Sequence, residues 1–367
     1  MPRLCHIFST FAPGGPQVRT VKIIESLPDS FEHTIVAMDC NFSCQKIIAR
    51  GNVIYREPPR RRNSHLYVFA LADWLREQKP DLLLTYNWGA IESIPAGRLA
   101  GIHRILHAED GFNPDELEKQ KVRRVLARRV LLKTVARVVV PSQVLFSITR
   151  RIWKVPLRKT VYIPNGVNTK HFSPGRQTRL REQYGIAAHE CVIGTTGTLG
   201  GSKNQAFLLE TFAQLAGRHS VRLLLLGDGS HRAALESKAN ELGVADKVVF
   251  AGHVVDPRDH LQVMDIFAMS SKTEQMPIAL LEAMAAGLPV VSTEVGDIRA
   301  MVCDDNKLFV VALEAPLNYP TALERLIADA ALRRRLGAMN REKCLKQYDL
   351  QTCHQAYRNL YEKALQM

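Results

Sequence analysis

The sequence has no apolar run of about 20 residues, the length a helix needs to cross a bilayer. Its longest weakly charged stretch, Gln275–Thr293, is interrupted by Glu282 and contains Gly287 and Pro289. The first twelve residues are mildly apolar but lead into Pro13-Gly14-Gly15 with no small-residue cleavage pattern, so no signal peptide is expected. Cys-x-x-Cys is absent. The seven cysteines (5, 40, 44, 191, 303, 344 and 353) are odd in number and scattered. That argues against a disulfide framework and a structural zinc site, and for a reducing compartment. Asp-x-Asp is absent too, so no obligatory metal is expected. Gly197–Lys203 lacks Gly-Lys-Ser/Thr, which rejects a P-loop ATPase. No Gly-x-Gly-x-x-Gly follows the first apolar run, which speaks against a dinucleotide-dependent dehydrogenase.

What is present is ordinary globular composition, with 46% hydrophobic and 23% charged residues. At roughly 150 residues per domain, 367 residues suggest two domains. The net charge of +13 is uneven. Residues 1–174 hold 27 Lys+Arg against 14 Asp+Glu, whereas residues 175–367 hold 22 of each. One half carries the whole excess.

Short β-rich runs alternate with helical patterns in both halves. The first half reads as strands at Leu4–Ser9, His33–Met38, Asn52–Tyr55, Asp81–Tyr86, Arg104–His107, Arg137–Val140 and Val161–Ile163. The second reads as strands at Val192–Thr196, Val221–Leu226, Val248–Phe250, Ile266–Met269, Val290–Ser292 and Leu308–Val311. Such alternation implies α/β architecture with parallel sheets covered on both faces. The turn-rich segment 164–175 marks the seam, giving two doubly wound Rossmann-like domains, 1–165 and 166–345, facing across a cleft. A final segment, 346–367, carries one apolar stripe (Leu350, Cys353, Ala356, Tyr357, Leu360, Tyr361, Ala364) behind Asp349 as N-cap. It is expected to pack back onto the first domain.

The densest signal is EQMPIALLEAMAAGLPVV at 274–291. Pro277 suits a first helical turn and Gly287 suits the position after the last. Glu282 sits among Leu280, Leu281, Ala283, Met284 and Ala285, where a carboxylate is costly without a partner. Were the whole span helical, Glu274 and Glu282 would stand about 12 Å apart along its axis. That suits a ligand with two polyhydroxyl ends joined by a diphosphate, whose charge the helix N-terminus would receive.

Glu-x7-Glu in this setting resembles the signature of glycosyltransferase family 4, the group 1 retaining enzymes of GT-B fold. PGGPQ (13–17), IPNGVNTKHFSP (163–174), GTLGGSKNQAFLLETFAQL (197–215), LLLLGDGSHRAALE (223–236) and VVFAGHVVD (248–256) are similar to its other landmarks. The resemblance implies a retaining glycosyltransferase, of hexosyltransferase type, using a nucleotide-sugar donor, UDP-linked, and an acceptor hydroxyl in the cleft. It implies no cofactor beyond that cosubstrate. Glu282 would hold the ribose, and Glu274 the transferred sugar beside the backbone of Gln275, Met276, Pro277 and Ile278. Lys203 would meet the diphosphate. Gly252 and His253 would approach the base, His107 would stand beside the sugar, and Gly14 and Gly15 would allow close approach of the N-terminal loop. Two positions depart from the pattern: Thr198 stands where an arginine is usual, and Gln275 where a glycine is.

The stretch Lys119–Lys133 (KQKVRRVLARRVLLK), with Arg60-Arg61-Arg62 and 150–159, makes the first half cationic. Arg123, Arg124, Arg128 and Arg129 read as one cluster, either a solvated face or an attractor of an anionic membrane or acceptor. Nucleic acid is not expected, because no binding module accompanies the charge. The expectation is a cytoplasmic enzyme, peripheral on the inner membrane face, acting in lipid-linked glycan, polysaccharide or lipopolysaccharide synthesis. A nucleotide-sugar epimerase of the same fold and a catalytically silent docking scaffold are the alternatives. Glu109 and Asp110 read as an acidic turn.

Overall fold

A computed structural model gives the fold and describes residues 1–60, 66–112, 114–116 and 119–367. Arg61 and Arg62 lie outside the described residues. The chain divides into two compact units. One comprises Met1–Asn165 with Gln351–Met367, and the other is Gly166–Leu350.

The first unit holds β1 (Arg3–Phe8), β2 (Glu32–Ala37), β3 (Val53–Arg56), β4 (Leu82–Tyr86), β5 (Ile105–Ala108), β6 (Arg137–Val140) and β7 (Thr160–Tyr162). They form one sheet in the order β3-β2-β1-β4-β5-β6-β7, and every pair is parallel. Side chains alternate between two apolar layers. Leu4, Phe8, Ile35 and Leu106 join one, while Cys5, Ile7, Val36 and Ile105 join the other. Burial on both faces is why these strands are continuous apolar runs.

The second unit repeats the design with β8 (Cys191–Thr196), β9 (Val221–Leu226), β10 (Val248–Gly252), β11 (Ile266–Met269), β12 (Val290–Thr293) and β13 (Val310–Val311). The order is β10-β9-β8-β11-β12-β13, again parallel throughout. Strand β13 is shorter than the sequence suggested, because Asp305–Phe309 closes into a 3-10 turn that exposes Leu308.

The last helix, Leu350–Leu365, buries Cys353, Tyr357, Leu360, Tyr361 and Ala364 in the same layer as Phe8 and Ile24 of the first unit. The chain returns to that unit at Gln351 rather than at residue 346, because Cys344 and Tyr348 still belong to the core of the second. All seven cysteines are free, and all but Cys40 are buried. No helix among the described residues is long and apolar enough to cross a membrane.

Candidate functional site

In a doubly wound sheet, loops diverge at the carboxyl ends of the two strands where the winding reverses, leaving room for a ligand. In the second unit those strands are β8 and β11. The loop after β8 starts at Gly197 (φ +146°) and ends at Asn204 (φ +53°), which leads into the helix Gln205–Ala216. It is locked to the loop after β9 by Leu199 N–H to Asp228 O (3.0 Å) and His231 N–H to Leu199 O (3.2 Å). Gly227 (φ +134°) permits this approach: a Cβ there would fall 1.9 Å from Gly197 O.

The loop after β11 is bound across the switch point. Ser270 Oγ donates to the carbonyls of Lys203 and Asn204, both at 3.0 Å, and Lys272 N–H donates to Ser202 O at 2.8 Å. These contacts bring Lys203 Nζ to 2.5 Å from Glu274 Oε1, which also accepts from Ser271 Oγ at 2.9 Å. Asp297 N–H holds Gln275 O at 2.8 Å. Glycine is required at 296 (φ +55°), since a Cβ there would meet the carbonyls of Glu274 and Gln275 at 2.5 Å. Met276 and Pro277 are buried. The helix is Ile278–Ala285, with Pro277 as its N-cap and Gly287 (φ +78°) past its end. Glu274 is a loop residue ahead of this helix, as Pro277 at the first turn implied, so the condition for a 12 Å axial spacing is not met. Glu282 is half-buried on that helix.

Gly252 (φ +73°) ends β10, followed by exposed His253. Gly227 N–H donates to Gly252 O at 2.8 Å. Arg232, which the sequence did not single out, reaches this edge. Its Nη2 donates to Phe250 O at 3.4 Å, and its Nη1 lies 3.4 Å from where a Cβ on Gly252 would stand. Its sequence signals were its place inside LLLLGDGSHRAALE and the i,i+4 spacings to Asp228 and Glu236. Thr198 is exposed, and its carbonyl accepts from Gln205 Nε2 at 3.0 Å.

The first unit places its candidates differently. Gly14 is extended (φ −167°), with Gln17 Oε1 2.8 Å from where a Cβ on it would stand, whereas no atom lies within 4 Å of a Cβ at Gly15. His107 is fully buried, with Nδ1 2.8 Å from Thr85 Oγ1 and Nε2 3.0 Å from Glu109 Oε2. Both ring nitrogens therefore have partners within the first unit. Glu109 and Asp110 are no solvated turn. Glu109 is fully buried and accepts from Arg128 Nη2 at 2.9 Å. Burial pushes its carboxyl up, but Arg128 and His107 together outweigh that and hold it below the ordinary range. Asp110 takes both guanidinium nitrogens of Arg19, one at 2.9 Å, while Asn87 Oδ1 accepts its N–H at 2.6 Å.

Among the described residues, no group of three or more His, Cys, Asp or Glu side chains is placed to hold a metal ion. Two family models match the chain: Glycosyltransferase Family 4 over residues 13–171, and Glycosyl transferases group 1 over residues 190–329. The chain belongs to glycosyltransferase family 4. This family member is 34% identical over 180 residues to the lipopolysaccharide core biosynthesis glycosyltransferase LpsE of Rhizobium meliloti, a match covering 49% of this chain and 52% of that protein. The chain thus spans about half the length of that curated relative. It is 25% identical over 309 residues to the putative glycosyltransferase EpsF of Bacillus subtilis, covering 80% of this chain and 79% of that one. Its fold is that of Anabaena HepE, solved in complex with UDP. The TM-score is 0.82 at 17% identity, over 99% of this chain and all of that one. Two parallel Rossmann-like units of this kind are the GT-B fold.

Proposed function

We propose that this family member transfers a glycosyl group from a nucleoside-diphosphate sugar, UDP-linked, to a hydroxyl of a lipid-linked or polysaccharide acceptor, with retention at the anomeric carbon. The observation that carries this reading is the Lys203–Glu274 pair at the switch point of the second unit. An entering diphosphate competes with Glu274 for Lys203, and the released carboxylate becomes an acceptor for sugar hydroxyls. As the glycosidic bond breaks, negative charge grows on the leaving diphosphate, where a preorganised cation stabilises the transition state. The first turn of the helix Ile278–Ala285 adds its dipole. Glu282, half-buried on the same helix, is assigned to the ribose, and Gly252 with His253 to the base. Backbone at Gln275, Met276, Pro277 and Ile278 lines the sugar.

Thr198 leaves one cation fewer beside the diphosphate, and Arg232 is the cation found instead at the β10 edge. His107 is given no proton-transfer step, since both its nitrogens are engaged. The leaving diphosphate itself can take the acceptor proton on the same face. The relatives' names support a role in lipopolysaccharide or extracellular polysaccharide assembly, and the UDP held by HepE supports the donor class.

The test is a panel of nucleotide sugars with the full chain, reading donor hydrolysis, nucleotide-induced thermal shift and product anomer, with and without EDTA. Turnover of one UDP-sugar, insensitive to EDTA, is expected. Absence of both hydrolysis and thermal shift for every donor overturns the proposal. An altered free sugar formed without acceptor means epimerisation.

A further inference from the structure

The structure divides the four arginines that read as one cluster. In the helix Val122–Leu131, Arg124 pairs with Asp115 and Glu116, and Arg128 with Glu109 and Glu116, all within the first unit. Arg128 also lies under the rings of Trp88 and Trp153. Of the four only Arg123 is exposed, and Val122, Leu126 and Val130 of the same helix are exposed with it. An uncommitted cation beside apolar and aromatic walls is found in the second unit instead. A cavity of about 210 Å³ opens there at the carboxyl ends of β12 and β13, the edge of a doubly wound sheet that receives ligands. Its walls are apolar. The rings of Phe207 and Tyr319 meet edge to face with centroids 5.3 Å apart, and Val311 and Pro316 stand beside them.

Two lining side chains are free to bind. Among the described residues, neither the Lys272 ammonium nor the Asn204 carboxamide has a side-chain partner. The other polar side chains of the cavity are committed: Thr293 Oγ1 donates to Ser271 O at 2.6 Å and Tyr319 Oη to Met269 O at 3.0 Å. Apolar walls with a few placed polar groups are the composition of a small-ligand site. An apolar cavity of about 150 Å³ takes up benzene, so this one admits a single ring, and Lys272 calls for an acid group on it. The donor residues lie elsewhere. The helices Gln205–Ala216 and Asn318–Ala328, which wall the cavity, cover one face of the sheet, and the helix Ile278–Ala285 covers the other. Yet Asn204 adjoins Lys203, and Lys272 stands two residues before Glu274. We propose that the cavity binds a small ring compound carrying an acid group, an effector that holds the two donor loops together from behind. Its ring lies against Phe207 and Tyr319, and its acid group bridges Lys272 and Asn204. The clamping role rests on the donor reading of Lys203 and Glu274, whereas the binding site does not. A ligand that fixes both loops in the arrangement presenting Lys203 favours nucleotide binding, and by linkage nucleotide favours the ligand equally.

The experiment titrates the full chain, without nucleotide, with benzoate, phenyl phosphate and benzyl alcohol, read by NMR line broadening of the ring protons. Saturable binding of both anions is expected, with benzyl alcohol about ten-fold weaker and acetate unable to compete. Lys272→Gln loses about ten-fold for the anions and nothing for the alcohol. Phe207→Ala weakens all three. Lys272 is exposed, so Lys272→Gln keeps the wild-type melting temperature and decides the matter even if Phe207→Ala does not fold. Absence of saturable binding, or equal affinity of wild type and Lys272→Gln for the anions, overturns the site. So does loss of the anions in Lys203→Met with Lys272→Gln unaffected, which places them at the donor pair. Saturating benzoate is then expected to lower the Kd for UDP about five-fold. An unchanged Kd overturns the clamping role. Failure of UDP to bind at all overturns the donor assignment, and the cavity result, read without nucleotide, stands apart from it.

Discussion

Lys203 Nζ and Glu274 Oε1 stand 2.5 Å apart across the point where the second sheet reverses its winding, although 71 residues separate them in sequence. Each loop brings one charge. The hydrogen bonds of Ser270 and Lys272 to the backbone of the β8 loop fix their meeting. A cation already neutralised by a carboxylate is a site that a stronger anion can enter by exchange.

Removing Lys203 therefore separates binding from chemistry. Lys203→Met is expected to lower kcat with the donor by about 10²-fold, the usual consequence of losing one preorganised partner of the developing charge. Glu274→Gln removes the carboxylate that competes for Lys203 and loses sugar contacts, so UDP alone binds more tightly while turnover falls. Calorimetry with UDP, set beside steady-state rates, distinguishes the two. Unchanged turnover in both variants contradicts the site.

His107 predicts the reverse pattern. Its ring is enclosed between Thr85 and Glu109. His107→Ala leaves a buried hydroxyl and carboxylate without this partner, which costs about 1–3 kcal/mol. The melting temperature falls, and turnover per folded molecule at low temperature stays within a few-fold of wild type. A collapse of kcat in a fully folded variant would restore a catalytic role.

The Arg128 cluster sets an acid limit. Glu109 is held below its ordinary range, and Asp115 is held to about 2 by hydrogen bonds from Lys121 and Arg124. A depressed carboxylate contributes stability that is complete above its unfolded pKa and lost as pH falls through its folded one. The first unit should thus hold at neutral pH and weaken progressively below about pH 4. Arg128→Met leaves Glu109 buried without its arginine, while Glu116 keeps Arg124. It should cost roughly 3–5 kcal/mol near neutrality and move the acid transition to higher pH. Circular dichroism across a pH series reads both.

Gly227→Ala tests the backbone of the donor site. The added methyl would meet Gly197 O at 1.9 Å, on a residue whose φ of +134° already disfavours a side chain. The β8 and β9 loops must part, and the backbone strain alone costs of order 1–3 kcal/mol. Weaker nucleotide-induced stabilisation is expected, with a lower melting temperature. Gly15→Ala, at a helical position with open space above it, should leave stability unchanged.

Much of this was local information. The strands are runs such as Val221–Leu226, apolar on both alternating faces, and a segment that must be buried on both sides can be little else. The loop-and-helix signature around Glu274 and Glu282 was legible because Pro277 and Gly287 punctuate it at both ends. The apolar stripe of the last helix was equally plain from its spacing.

The tertiary structure decided which partners such residues meet. The last helix advertises a stripe, yet only the fold shows that Phe8 and Ile24 cover it. In Val122–Leu131, arginines and apolar residues occur on every side, so periodicity alone does not choose the inner face. Glu109, Glu116, Trp88 and Trp153 choose it, because two buried carboxylates need cations more than the core needs three more apolar side chains. The fold likewise shows that Thr85 and Glu109 are the partners of the buried His107 ring. Sequence determines which segments become strands and helices through periodicity, a property of neighbours. Which charge is buried depends on the electrostatic demands of groups far away in the chain, and those meet only once the sheet has formed.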